Sequence, residues 1–263
     1  MDKIRMRTNA GSIKLRVTTK DGSPCELWNG GKKIAELQSD NWENIAVQNN
    51  AEEIIIKGYD IQELGCDNNQ LTALNASGCT RLQELYCNNN QLTTLNVNGC
   101  TSLQWLDCYD NRLTALNVSV LTSLQHLDCS FNQLTALDVS GLVNLEDIDC
   151  CENGLTELNV RNCRALQRLN CSFNRLAALD ASGCTSLQKL YCNNNKLSAE
   201  VFKKIFEDLP ERKEKCGRVL LYKDGDSNYK DFTQPPELAA AFKAAKAKGW
   251  RLYKINNDDL MEL

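Results

Sequence analysis

The sequence predicts an α/β solenoid, a chain that stacks short parallel strands into a sheet and closes each end of the stack with a cap. Three observations predict it. A 21-residue unit recurs seven times between residues 61 and 197 with no insertion or deletion. Leucine, cysteine and asparagine return at fixed offsets in every unit, so each unit offers the same apolar side to its neighbours. The flanks read differently, residues 1–60 as strands and residues 198–263 as alternating helix and strand. A fixed period of this length marks a repeat architecture, in which no unit buries its apolar side alone and stacking buries a continuous core.

The bulk properties bound the function. A chain of 263 residues, 42% of them apolar, suffices for one elongated domain or two compact ones. We read it as one continuous domain: a β-rich cap (1–60), seven repeats (61–197) and C-terminal α/β repeats with a cap (198–263). A net charge of −4 and the lack of a basic patch exclude nucleic acid as a partner. No stretch approaches the roughly 20 apolar residues of a membrane helix. The N-terminus, MDKIRMRTNAGSIKLRV, lacks the apolar core of a signal peptide. As it stands the chain is expected in the cytoplasm; with an export signal trimmed, it is expected at the cell surface or secreted.

Within residues 1–60, Ile13-Lys-Leu-Arg-Val17 alternates as a half-buried strand, Asp21-Gly22 marks a turn, and Glu53–Lys57 reads as a strand entering the stack. This segment is expected to cover the first repeat, whose exposed end would otherwise open the core to water.

The repeats begin at Ile61 and restart at Leu82, Leu103, Leu124, Leu145, Leu166 and Leu187. Three residues on stand Leu64 to Leu190, with Ile148 as the one exception. Five on stand Cys66, Cys87, Cys108, Cys129, Cys150, Cys171 and Cys192, and eight on stand Asn69 to Asn195. The unit is therefore L-x-x-L-x-C-x-x-N-x-L-x-x-L. It resembles bacterial leucine-rich repeat proteins, above all the 21-residue cysteine-containing type of gut Bacteroidetes, and more distantly internalin-type surface proteins. The resemblance covers residues 61–197. It implies a right-handed leucine-rich repeat horseshoe with a concave parallel β-sheet, and a role in adhesion, recognition or scaffolding.

The 14 cysteines invite a metal or disulfide reading. Their positions argue for core packing instead. The first column points inward with the leucines, where a thiol behaves as a small hydrophobe. In-register side chains are poorly aimed for the near-perpendicular disulfide torsion. The second column, Cys79, Cys100, Leu121, Leu142, Cys163 and Cys184, accepts Leu twice, as a core slot would. Zinc needs four converging ligands, and the single histidine, His126, falls on the opposite face. Cys151 alone occupies an outward slot of the array. The asparagines are expected to satisfy backbone groups that each bend leaves unpaired. No metal and no cofactor is expected.

Where units differ, a partner can be told apart. Alternation along the strand sends offsets two, four, six and seven to the concave side. These columns hold nine acidic and two basic residues, a net of −7. Asp107, Asp128 and Asp149 share one column, beside Trp105, Tyr109, His126, Phe131 and Phe173. Aromatic anchors amid charge suit a recognition surface. The expected contact residues are Trp105, Asp107, Tyr109, His126, Asp128, Phe131, Asp147, Asp149, Arg168 and Phe173. A solvated sheet can also hold such residues through cross-strand pairing.

Beyond Leu197 the period breaks. Ser198 is a good N-cap for SAEVFKKIFEDL, which Pro210 ends. Arg218–Tyr222 reads as a strand, Pro236–Lys248 as a helix closed by Gly249, and Trp250–Ile255 as a last strand. Two helix–strand units would thus prolong the sheet. Asp224-Gly-Asp-Ser-Asn228 imitates the start of a calcium loop, but Tyr229 stands where Gly is required and Pro235 where the last acid is required. We read it as a turn.

No Walker loop, nucleophile elbow, H-E-x-x-H or dinucleotide fingerprint is present. Asp147, Asp149 and His126 could form a carboxylate site, yet nothing supplies a nucleophile or an oxyanion hole. The expected function is a non-enzymatic protein–protein interaction module for a protein or peptide, basic in character. The alternative is a cell-surface adhesion module recognising carbohydrate or host matrix, with Trp105, Tyr109 and Phe131 as stacking platforms.

Overall fold

The computed structural model describes residues 1–47, 52–212 and 217–263. They form two compact units, Met1–Gln133 and Leu134–Leu263.

The first unit opens with six strands: β1 (Asp2–Thr8), β2 (Ser12–Thr19), β3 (Cys25–Asn29), β4 (Lys32–Leu37), β5 (Glu43–Ala46) and β6 (Ile54–Gly58). Period-two alternation builds them; in β2, Ile13, Leu15 and Val17 are buried while Ser12 and Lys14 face out. The repeats of this unit add β7 (Ile61–Gly65), β8 (Leu71–Asn75), β9 (Glu84–Tyr86), β10 (Thr94–Asn96), β11 (Trp105–Asp107) and β12 (His126–Asp128). Strands β7, β9, β11 and β12 form a parallel ladder in which Leu64, Leu85, Leu106 and Leu127 share one register row. β2 joins the ladder antiparallel to β7, with Val17 opposite Leu64, and so occupies the open edge of the first repeat.

One expectation is corrected. The Glu53–Lys57 strand does not enter the stack. As β6 it lies between β1 and β3, antiparallel to both, with Ile54 and Ile56 fully buried. Two antiparallel neighbours satisfy both of its edges. The return segments also hold strands that the repeat pattern did not announce: β10 and β8 pair in parallel and continue, through β1, the sheet of β6, β3 and β4.

The second unit repeats the plan with β13 (Ala136–Asp138), β14 (Asp147–Asp149), β15 (Glu157–Asn159), β16 (Arg168–Asn170) and β17 (Lys189–Tyr191). After α1 (Ala199–Asp208) come β18 (Gly217–Lys223), α2 (Pro236–Ala247), β19 (Trp250–Asn256) and β20 (Asp259–Glu262). β14, β16, β17, β18 and β19 run parallel in that order, and β20 closes them antiparallel. β13 and β15 pair separately on the return side. Ser198 caps α1 by accepting from the Val201 amide at 3.3 Å. Lys248 Nζ donates to the carbonyls of Phe206, Glu207 and Leu209, satisfying the other end of α1.

Two polar devices hold the stack. The ladder asparagines bridge their own turn and the previous repeat, except Asn69, which bridges its turn to Lys14 of β2. Asn111 Nδ2 donates to the Cys87 and Cys108 carbonyls at 3.0 and 3.1 Å, and its Oδ1 accepts from Leu92 N at 2.9 Å. Asn90, Asn132, Asn174 and Asn195 make the same bonds. A buried amide or carbonyl left unpaired costs about 1–3 kcal/mol. The cysteines of both columns are buried among the leucines, and no disulfide joins any described cysteine. Cys216 lies outside the described residues. Second-column thiols donate weakly to the previous repeat, as Cys100 to the Ala76 carbonyl at 3.2 Å and Cys184 to that of Val160 at 3.2 Å.

Candidate functional site

The outward face of the strands in the first unit carries one aromatic–acidic patch. Trp105 on β11 lies against His126 on β12, with ring centroids 4.1 Å apart, and 6.5 Å from Tyr86 on β9. The in-register ladder imposes this row, since each residue of one strand faces its counterpart 21 residues on. Tyr86 donates its hydroxyl to Glu84 at 2.7 Å, and Tyr109 accepts from Asn89 Nδ2 at 2.8 Å. Asp128 accepts from the Ser130 amide and hydroxyl at 3.0 and 2.6 Å.

Asp107 stands in register between Tyr86 on β9 and Asp128 on β12. Burial, reinforced by the charges of Asp128 and Asp67 and opposed by the Tyr109 amide, pushes its carboxyl up to about 6. A carboxylate held above its ordinary range loses stability when it ionises. In the four outward columns of this unit stand six acids (Glu63, Asp67, Glu84, Asp107, Asp110, Asp128) and no Lys or Arg. Arg16 on β2 pairs with Glu63, and it and Lys14 lean over the Trp42 ring. Trp42 itself covers Gly65: a Cβ there would lie 2.8 Å from the indole, so only Gly fits this place in the column.

In the second unit two of the three acids in these columns share one arginine. Arg168 bonds Asp147 and Asp149, each at 2.8 Å, and lies 5.7 Å from the Tyr191 ring. Asn170 Nδ2 adds bonds to both Asp149 oxygens. This pairing joins the predicted residues Asp147, Asp149 and Arg168 into one cluster. Phe173, predicted with them, lies three residues beyond Asn170.

Offsets six and seven depart from simple alternation. At offset six Ser130, Ser172 and Asn193 are 5%, 4% and 1% exposed, because the chain has begun to bend inward. Tyr109 at the same offset stays half-buried. At offset seven every residue from Asn68 to Asn194 has a left-handed backbone, φ 51 to 57°. Asn and Asp tolerate that conformation, and a bulky side chain does so poorly. Yet Phe131 and Phe173 occupy it at φ 52° and 54°, with 54% and 39% of their surface exposed. The sequence pattern hid this cost, since the offset shows mixed residue types and no glycine. Among the described residues no group of three or more His, Cys, Asp or Glu is placed to hold a metal ion, and no helix is long and apolar enough to cross a membrane.

The leucine-rich repeat family description, two repeat copies in length, matches residues 101–140 and 164–204. The chain is similar to the leucine-rich repeat domain of a Shigella effector, with a TM-score of 0.56 and 20% identity over 75% of this chain and 83% of that one. It is also similar to a leucine-rich repeat protein of Leptospira interrogans (TM-score 0.46, 31% identity, 50% of this chain and 36% of that one). A third similarity is to the functional domain of InlJ from Listeria monocytogenes, which includes a cysteine ladder (0.45, 26%, 73% and 44%). The chain therefore spans less than half the length of the last two. No curated protein matches it. The fold is a leucine-rich repeat solenoid, an architecture that generally presents surfaces for protein–protein interaction.

Proposed function

We propose that the outward strand face binds a protein or peptide of basic character, without catalysis. In the first unit the contacts are Trp105, Asp107, Tyr109, His126, Asp128 and Phe131. Asp147, Asp149, Arg168 and Phe173 form a patch of their own in the second. The observation that carries this reading is the register itself: Asp107 stands between Tyr86 and Asp128, one position from the Trp105–His126 ring contact, in columns that hold six acids and no Lys or Arg in this unit. A guanidinium or ammonium laid between Trp105 and Asp107 would gain a charge-assisted hydrogen bond and a cation–π contact together.

The reading also places the chain with the bacterial 21-residue cysteine-containing repeats; the unbroken 21-residue spacing and inward cysteines support this. Exposed rings at Trp105 and Phe131 favour a second reading, a surface adhesin on which sugars stack.

A random peptide library selected on the immobilised chain tests the choice. The expected winners carry Lys or Arg beside aromatic residues, release at high salt, and lose binding to Asp128→Lys and to Trp105→Ala. Winners of neutral or acidic character, or binding indifferent to both substitutions, sink the proposal. Glycan capture that vanishes in Trp105→Ala alone supports the second reading.

A further inference from the structure

A second site lies in the C-terminal segment, apart from the strand face. Between α2 and the loop before it opens a cavity of about 580 Å³, lined among others by Phe232, Ala239, Phe242, Lys243, Lys246 and Leu263. Phe232 and Phe242 stack at 5.4 Å and 18° to make its floor. Phe202 and Phe206 of α1 brace that floor edge-on, at 5.2 and 5.8 Å from Phe232. The floor is therefore preformed. Ala239, Phe242, Lys243 and Lys246 recur at helical spacing, so one face of α2 supplies a small residue, a ring and two cations. Lys246 Nζ lies 5.8 Å from the Phe242 ring and donates to the Leu263 carbonyl at 2.5 Å. Lys230, also in the lining, pairs with Asp226 at 3.6 Å. Lys243 makes no ion pair or hydrogen bond among the described residues. The lining carboxylate, Asp231, is turned to Thr233, accepting from its amide and hydroxyl at 3.0 and 2.5 Å.

The chemistry of such a cavity selects its occupant. Its size is that of a small-molecule pocket, in which apolar walls give affinity and a few polar groups set orientation. Stacked rings accept a flat or branched apolar body. Lysines at the rim accept an anion, and in a chain of net charge −4 they are a local exception. We propose that this cavity binds a small amphipathic carboxylate, an aromatic or branched aliphatic acid, its apolar body on Phe232 and Phe242 and its carboxylate at Lys243 and Lys246.

Calorimetric titration of the full chain with 2-naphthoate, and with 2-naphthalenemethanol as the uncharged counterpart, tests this. The expected result is one saturable site for the acid and binding about tenfold weaker for the alcohol, the loss of one charge contact. Ala239→Trp, which fills the cavity, abolishes binding, and Lys243→Glu weakens it at least as much as removing the ligand's charge. Trp105→Ala leaves it unchanged, which separates this site from the strand face. Lys243 is exposed and holds nothing in the fold, so Lys243→Glu remains informative if Ala239→Trp fails to fold. No saturable binding, equal binding of acid and alcohol, or indifference to Lys243→Glu overturns the proposal.

Discussion

Asn228 Nδ2 donates at 2.9 Å to the carbonyl of Cys192, 36 residues earlier. It also donates to the Leu221 carbonyl at 2.8 Å, and its Oδ1 accepts from Leu197 N at 2.9 Å. These are the bonds of a ladder asparagine, made by a residue outside the 21-residue period. The turn that imitates a calcium loop is the last rung of the ladder. Its Asp226 accepts from the amides of Asn194, Lys223 and Asn228. Asn228→Ala takes the side-chain partner from the Leu197 amide and the Leu221 carbonyl, while the Cys192 carbonyl keeps Asn195 Nδ2 at 3.1 Å, and the expected loss is about 2–3 kcal/mol of unfolding free energy. Urea denaturation measures it, and faster amide exchange at Leu197 assigns it to the ladder. A loss no larger than that of Asn257→Ala, at an exposed turn, contradicts the assignment.

Phe131 bears two costs at once, a left-handed backbone and an exposed ring. Asn69's neighbour Asn68 and Asn194 fill the same slot in other repeats at φ 57° and 54°. Phe131→Asn is therefore expected to stabilise the chain by about 0.5–1 kcal/mol while weakening capture of the selected basic peptides. A thermal melt and a binding isotherm on the same preparation check both signs. A variant that is more stable and binds as well as the parent removes Phe131 from the surface.

Asp107 gives the strand face a pH dependence. Its folded carboxyl sits at about 6, above the ordinary 3.8. The stability it contributes is fully present below pH 3.8 and lost as pH rises through 6, so Asp107→Asn is expected to stabilise the chain at pH 7 and not at pH 3.5. A cationic ligand draws the carboxyl back down, so basic-peptide affinity should rise between pH 5 and pH 7. Fluorescence-polarisation titrations at several pH values read the trend, and a flat profile in the parent chain would count against Asp107 as a contact.

The buried thiols make alkali the weak side of the fold. Burial pushes Cys100, Cys171 and Cys184 up to about 12, and Cys25, Cys79 and Cys163 to about 11, from 9.0. The unfolded chain gives up these protons first. Stability is full below pH 9 and falls as pH climbs toward the folded values, by up to about 1.4 kcal/mol per pH unit for each thiol. Urea midpoints at pH 8, 9 and 10 should show the fall. The double variant Cys100→Leu/Cys163→Leu, which borrows the residue already present at Leu121 and Leu142, should lessen the fall by the share of those two thiols and leave the rest; an unchanged slope refutes the cause.

The sequence announced the architecture because every inward column obeys one period. Leu64, Leu85, Leu106 and Leu127 could be aligned before any coordinate was known, and Ser198 and Pro210 bracketed α1. What escaped it lay outside the period or depended on side-chain reach. Asn228 is displaced from the register by the inserted helix. β6 carries the same alternation as a stack-entering strand, and only its pairing with β1 and β3 tells the two apart. The Arg168 bridge to Asp147 and Asp149 joins residues from two repeats, and a column read one offset at a time cannot show it. The left-handed turn at offset seven was invisible because Phe, Glu, Asp and Asn share it.

Beyond Asn69, which bonds Lys14 of β2 instead, the ladder asparagines bond their own turn and the repeat just before it. A whole 21-residue segment can therefore be duplicated or deleted by recombination, and the two new neighbours find the same donors and acceptors waiting. Length is the property such a gene can change in one step, and the outward columns are what later substitutions diversify.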